Sequence, residues 1–83
     1  MNDLARDPKN IGNAIRRERK ARRWSQQDLA AKVGVRQETV SIIENGNPAT
    51  RIDTLLSMLA ALDLEFQIAP RSRASKQETV VET

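Results

Sequence analysis

Arg36, Gln37, Glu38 and Ser41 place four base-reading chemistries within one short stretch of an 83-residue chain. An arginine bonds guanine O6 and N7, a glutamine pairs with adenine N6 and N7, a carboxylate accepts from cytosine N4, and a serine hydroxyl suits either kind of partner. Ile42, next along, has two readings: an apolar contact to a thymine methyl, or a partly buried residue at the edge of a core. Side chains like these read bases only if a helix carries them into a major groove with its N-terminal end leading. The stretch therefore has to be a helix, and something has to fix where it starts.

Two short amphipathic patterns run from Ser25 to Gly46, joined by Val33-Gly34-Val35, too tight a link for an ordinary loop. Ser25 is suited to cap the first helix, and Asp28 stands at the spacing of a capping box. Leu29, Ala30 and Val33 share one face of that helix, and Gly34 supplies the permissive backbone needed to leave it. The second helix begins at Arg36 or Gln37. Val40 and Ile43 repeat at helical spacing and face inward, so Gln37, Glu38, Ser41 and Ile42 fall on the outward side. A solvated polar face would also look like this. The caps, the glycine and the short turn instead favour a helix-turn-helix, with the second helix as the reader.

A third helix precedes the pair. From about Lys9 to Arg23 the sequence carries Arg16, Arg17, Arg19, Lys20, Arg22 and Arg23 against Glu18, around an apolar stripe of Ile11, Ala14 and Ile15. That run can steer a polyanion, although a charged helix surface reads the same way. Arg22 and Arg23, nearest Gln26, are the better phosphate-binding candidates. Trp24, the single tryptophan, is expected to pack on the core as an apolar residue preceding a cap, in preference to stacking on a base.

After Asn45-Gly46-Asn47-Pro48, a loop by composition, Thr50 and Asp53 repeat the capping-box spacing and open a fourth helix lined by Ile52, Leu55, Leu56, Leu59 and Leu62. That stripe reads as core or dimer interface. Arg51, at its N-terminal end, is a further phosphate-binding candidate. Leu64-Glu65-Phe66-Gln67-Ile68-Ala69 alternates apolar and polar residues as a strand does, and Pro70 ends it. A lone strand leaves its backbone unpaired, so the economical partner is the same strand of a second copy, with Leu64, Phe66 and Ile68 packed on the helices as dimerisation residues. The remainder, 71–83, is polar and reads as a disordered tail.

Composition narrows the function. The chain has no cysteine and no histidine and a formal net charge of +3. Metal sites, cofactor pockets, nucleophile–base pairs and phosphate-cradling glycine loops have no visible candidates, so no enzymatic activity, no cofactor and no metal are expected. No apolar run approaches a membrane span and no signal-peptide core is visible, which points to a cytoplasmic, nucleoid-associated protein. A domain this small has little spare core, a second reason to expect a homodimer.

The residues Q-x-x-L-A-x-x-x-G-V-x-x-x-x-V-S-x-x-E-N-G, from Gln26 to Gly46, resemble the Cro/C1-type (phage repressor-like, XRE) helix-turn-helix family. The likeness covers about residues 9 to 63. It implies an all-α domain of four to five helices that binds palindromic double-stranded operator DNA as a homodimer. Gln26 would bind a phosphate, Gln37 would be a principal base reader, and Arg36, Glu38, Ser41 and Ile42 would complete the reading surface. Asn45 would touch backbone phosphate just after the reading helix, and Thr39 joins the expected phosphate set. Arg19 and Glu44 match a family pair read here as structural. Many relatives have serine or threonine just before the reading helix, but Val35 and Arg36 stand there, so this helix is expected to lack a side-chain cap.

More narrowly, a helix-turn-helix domain followed directly by one dimerising strand and a short tail resembles the HipB-like antitoxins. That resemblance implies a repressor of its own operon that also holds a HipA-type serine/threonine kinase toxin inactive. The alternatives are a stand-alone repressor and a protein-interaction module without DNA binding. The expected organisation is an N-terminal arm over 1–8, the helix-turn-helix domain over 9–63, the dimerisation strand over 64–70 and the tail over 71–83.

Overall fold

The structure, a computed structural model, describes residues 7–70, and the tail and all but the last two residues of the arm lie outside them. Four helices make up the described residues: α1 (Pro8–Ala21), α2 (Gln26–Val33), α3 (Gln37–Glu44) and α4 (Ile52–Ala61). Side chains cap the starts of α1 and α2. The Asp7 side chain accepts the backbone N–H of Asn10 at 2.8 Å, and Pro8 follows where a missing N–H costs nothing. Ser25 and Asp28 form the expected capping box around α2, at 3.0 Å and 2.8 Å. Helix α3 starts behind Arg36 with no side-chain cap, as Val35 and Arg36 imply.

The expected capping box of α4 does not form. Thr50 donates its hydroxyl to the Asn47 carbonyl at 2.9 Å, and the Asp53 carboxylate is held by Arg51 at 3.0 Å and 2.9 Å, so Arg51 stands at the N-cap without a side-chain bond. The loop closing on itself and the neighbouring guanidinium both outcompete the cap for these short side chains.

All four helices end in the same way. Arg23, Gly34, Gly46 and Asp63 adopt left-handed backbone, with φ of 60°, 85°, 84° and 59°. The next residue then donates its N–H back into the last turn: Trp24 to Arg19, Val35 to Ala30, Asn47 to Ile42 and Leu64 to Leu59, at 2.7–3.2 Å. This is the Schellman closure, and at three of the four ends the donating residue is apolar and packs against the core.

Ile15, Leu29, Ala30, Val40, Ile43, Met58, Leu59 and Leu62 form that core, with Ile11, Trp24, Val33, Val35, Leu55, Ala61 and Leu64 packed against it. Trp24 therefore packs rather than waiting to stack on a base, and the Lys32 ammonium lies 4.5 Å from its ring centroid. In α4 the inward face runs through Leu55, Met58 and Leu59 and on to Leu62 at the C-cap, Leu56 falls beside that face, and Ile52, the first residue of the helix, is 73% exposed. Helix α1 meets α3 through Gly12, where a Cβ atom would lie 2.5 Å from the carbonyl oxygens of Ile43 and Glu44.

Among the described residues there is no strand, because the one segment with strand alternation has no second strand in its own chain. Leu64 packs on the helices as expected, whereas Phe66 and Ile68 do not: they are 55% and 92% exposed. Within one chain the helical core is already closed by Leu62 and Leu64, so the rest of the segment has nothing left to cover.

Candidate DNA-reading surface

Helix α3 divides into two faces. Val40, Ile43 and Glu44 are buried, while Arg36, Gln37, Glu38 and Ile42 are exposed and Ser41 and Thr39 are half-buried. The expected base readers thus share the outer face, Gln37 as the first residue of the helix. Ile42 is 48% exposed and is not one of the core residues.

Gln26 and Gln37 open α2 and α3, and the tight turn brings the two helix starts together. Gln37 Nε2 donates to Gln26 Oε1 at 2.6 Å, and Gln26 Nε2 donates to Glu44 Oε1 at 3.1 Å. Behind them the Arg19–Glu44 pair takes its structural place. Arg19 Nε donates to Oε2 at 2.6 Å and Nη2 to Oε1 at 3.0 Å, while Nη1 donates to the Trp24 carbonyl at 2.7 Å. Both residues are buried, and a bidentate guanidinium is what makes such burial tolerable. Burial pushes the Glu44 carboxyl upward, but hydrogen bonds from Arg19, Gln26 and Arg16 outweigh that and leave it below the usual range. It is ionised at neutral pH, and the bond to Glu44 raises Arg19 in turn.

Arg16 was not foreseen in the site. It donates Nε to Glu44 Oε1 at 3.3 Å and Nη2 to Asn45 Oδ1 at 3.1 Å. The signal was available, since Arg16 and Arg19 at i and i+3 share the helix face that meets Glu44. With its carbonyl oxygen engaged by Arg16, Asn45 keeps both Nδ2 hydrogens for an outside acceptor.

Other expected phosphate binders are placed differently. Arg22 is engaged within the fold: Nη1 donates to the Glu18 carbonyl and carboxylate at 3.1 Å and 2.8 Å, and Nη2 donates to the Leu62 carbonyl at 2.7 Å, tying the ends of α1 and α4. Arg23 is exposed at the left-handed corner after α1. Arg51 is exposed and paired with Asp53, whose carboxyl that guanidinium pulls down to about 2.

This fold and surface define a helix-turn-helix domain. The sequence pattern of the helix-turn-helix family HTH_3 matches residues 15–68. Antitoxin HipB of Escherichia coli (strain K12) is 32% identical over 72 residues, covering 87% of this chain and 82% of that protein. Among solved structures, a HipB–O4 20mer complex superposes with a TM-score of 0.75 at 28% identity, and a HipA–HipB–O2–O3 complex with 0.74 at 31%, each covering 84% of this chain and 97% of the other. The chain belongs to the helix-turn-helix family HTH_3 and, within it, to the HipB antitoxins. Among the described residues no helix is long and apolar enough to cross a membrane.

Proposed function

We propose that this protein is a sequence-specific DNA-binding repressor and the antitoxin of a HipBA-like pair, acting without enzymatic activity in the cytoplasm on the nucleoid. The observation that carries the DNA reading is the junction of α2 and α3, where a hydrogen-bonded Gln26–Gln37 pair stands at two adjoining helix starts beside the exposed Arg36, Glu38 and Ile42 and the half-buried Ser41. Gln37 reads a base, with Arg36, Glu38 and Ser41 as neighbours and Ile42 as the methyl contact. Gln26, Thr39 and Asn45 hold phosphates, and Arg23 and Arg51 add positive charge at the margins. Two copies, joined through Leu64, Phe66 and Ile68, present paired reading helices about 34 Å apart to a palindromic operator. The antitoxin role rests on membership among HipB proteins, one of which is solved together with HipA. A HipA-like kinase toxin is the protein partner.

Fluorescence anisotropy on the duplex upstream of the chain's own coding region, against scrambled duplex and across a salt series, tests the first part. The expected result is specific binding about a thousandfold tighter than non-specific. Equal, weak binding to both would leave only electrostatics and favour a protein-interaction module. Co-purification with the product of a neighbouring kinase gene separates an antitoxin from a stand-alone repressor.

A further inference from the structure

The buried Arg19–Glu44 pair looks like scaffolding, yet one of its atoms reaches the reading surface. Glu44 Oε1 is bonded to Gln26 Nε2, and Gln26 Oε1 to Gln37 Nε2, so the pair is the root of a relay that ends on the proposed base reader. The direction of that relay is dictated by chemistry. An ionised carboxylate only accepts, and two arginines keep Glu44 ionised. Gln26 must turn its amide nitrogen toward it, which throws the Gln26 carbonyl oxygen outward. Gln37 then has to meet that oxygen with its own Nε2, leaving its Oε1 and one N–H free in a fixed order.

We infer that Glu44 is a positioning residue for base reading: through Gln26 it fixes which way round the Gln37 amide stands. Adenine offers N7 as acceptor and N6 as donor in the major groove, and a glutamine satisfies both only with its N–H on N7 and its carbonyl on N6. A flipped Gln37 sets oxygen against N7, two acceptors face to face. The buried ion pair therefore selects one donor–acceptor order at the protein surface, and Gln26 keeps its second Nε2 hydrogen for a phosphate. This inference rests on the DNA-binding reading proposed above.

The test uses the 83-residue chain and the duplex it enriches from a randomised pool. The base pair that Gln37→Ala ceases to distinguish marks the Gln37 contact. The ratio of Kd values between that duplex and its transversion at this pair is then measured for wild type, Glu44→Gln and Gln26→Leu, each also in the Gln37→Ala background. Gln26→Leu keeps the Arg19–Glu44 pair intact, so it carries the test if Glu44→Gln fails to fold. A wild-type ratio of about tenfold should fall to about threefold or less in either folded variant, and neither change should alter the ratio once Gln37 is alanine. A general loss of stability would weaken both duplexes alike and leave the ratio intact.

The side-chain amide resonances of Gln37 in the DNA-free protein give a second readout. They should stand away from random-coil positions in wild type and collapse toward them in Gln26→Leu. An unchanged Kd ratio in a folded variant, or random-coil amide signals in wild type, overturns the inference alone. Failure of wild type to distinguish any duplex overturns the DNA reading and the inference with it.

Discussion

Gln37 commits one amide hydrogen to Gln26 and keeps the rest of its amide for the groove. Replacing it with alanine should cost about 1–3 kcal/mol on the preferred duplex and relax choice at one base pair, as read by selection on a randomised pool. Asn45→Ala removes a phosphate donor instead and should lower affinity for every sequence by a similar factor. Behind both sits Glu44, whose folded-state pKa lies below its usual range. Its contribution to stability is therefore present above the ordinary glutamate pKa of about 4.3 and is lost as pH falls through that value toward the lower folded-state one. Urea unfolding between neutral and acidic pH should show stability dropping across that window, with the exposed Asp28 and Asp53, also lowered, adding to the slope. Glu44→Gln should be weaker at neutral pH and flatter toward acid. An equally steep fall in the variant would place the titration elsewhere.

At the scale of elements, the four helix ends share a left-handed corner, yet only two of them are glycine. Gly34 has open space where a Cβ would stand, so Gly34→Ala carries backbone strain alone, about 1–2 kcal/mol. Arg23 already bears that strain, and Arg23→Gly should recover up to about 1 kcal/mol, partly offset by a freer unfolded chain. Gly12 differs: its backbone is helical and helix α3 sits against it. Gly12→Ala forces the α1–α3 contact apart and should cost about 3 kcal/mol or more, with loss of ordered α3 in hydrogen exchange. The Gly34 turn was legible in the sequence because it falls between two amphipathic runs. The Gly12 contact was not, since nothing local distinguishes a glycine that another helix approaches.

Across the whole molecule, four of the five large exposed hydrophobics, Ile52, Leu56, Phe66 and Ile68, belong to α4 and the segment that follows it. None belongs to the core of the single chain. A Phe66→Ala, Ile68→Glu double variant should therefore keep its helices while sedimenting as a monomer, where the wild type sediments as a dimer. Its specific DNA affinity should fall steeply, because a second half-site no longer arrives with the first. Dimeric sedimentation by the variant would remove these side chains from the interface.

Sequence alone determined what depends on neighbours along the chain. Ser25 and Asp28 cap α2, Gly34 turns it, and Val40 and Ile43 assign α3 an inner and an outer face, since caps, turns and helical periodicity act over a few residues. Tertiary structure decided what depends on groups far apart in sequence. Arg22 reached Leu62 instead of remaining free, Asp53 chose Arg51 over the cap, Met58 entered the core where Ile52 stayed outside, and Arg16 and Gln26 converged with Arg19 on Glu44. Each is a competition between partners for one side chain, and the winner is set by distance in the folded chain, which spacing along the sequence does not encode.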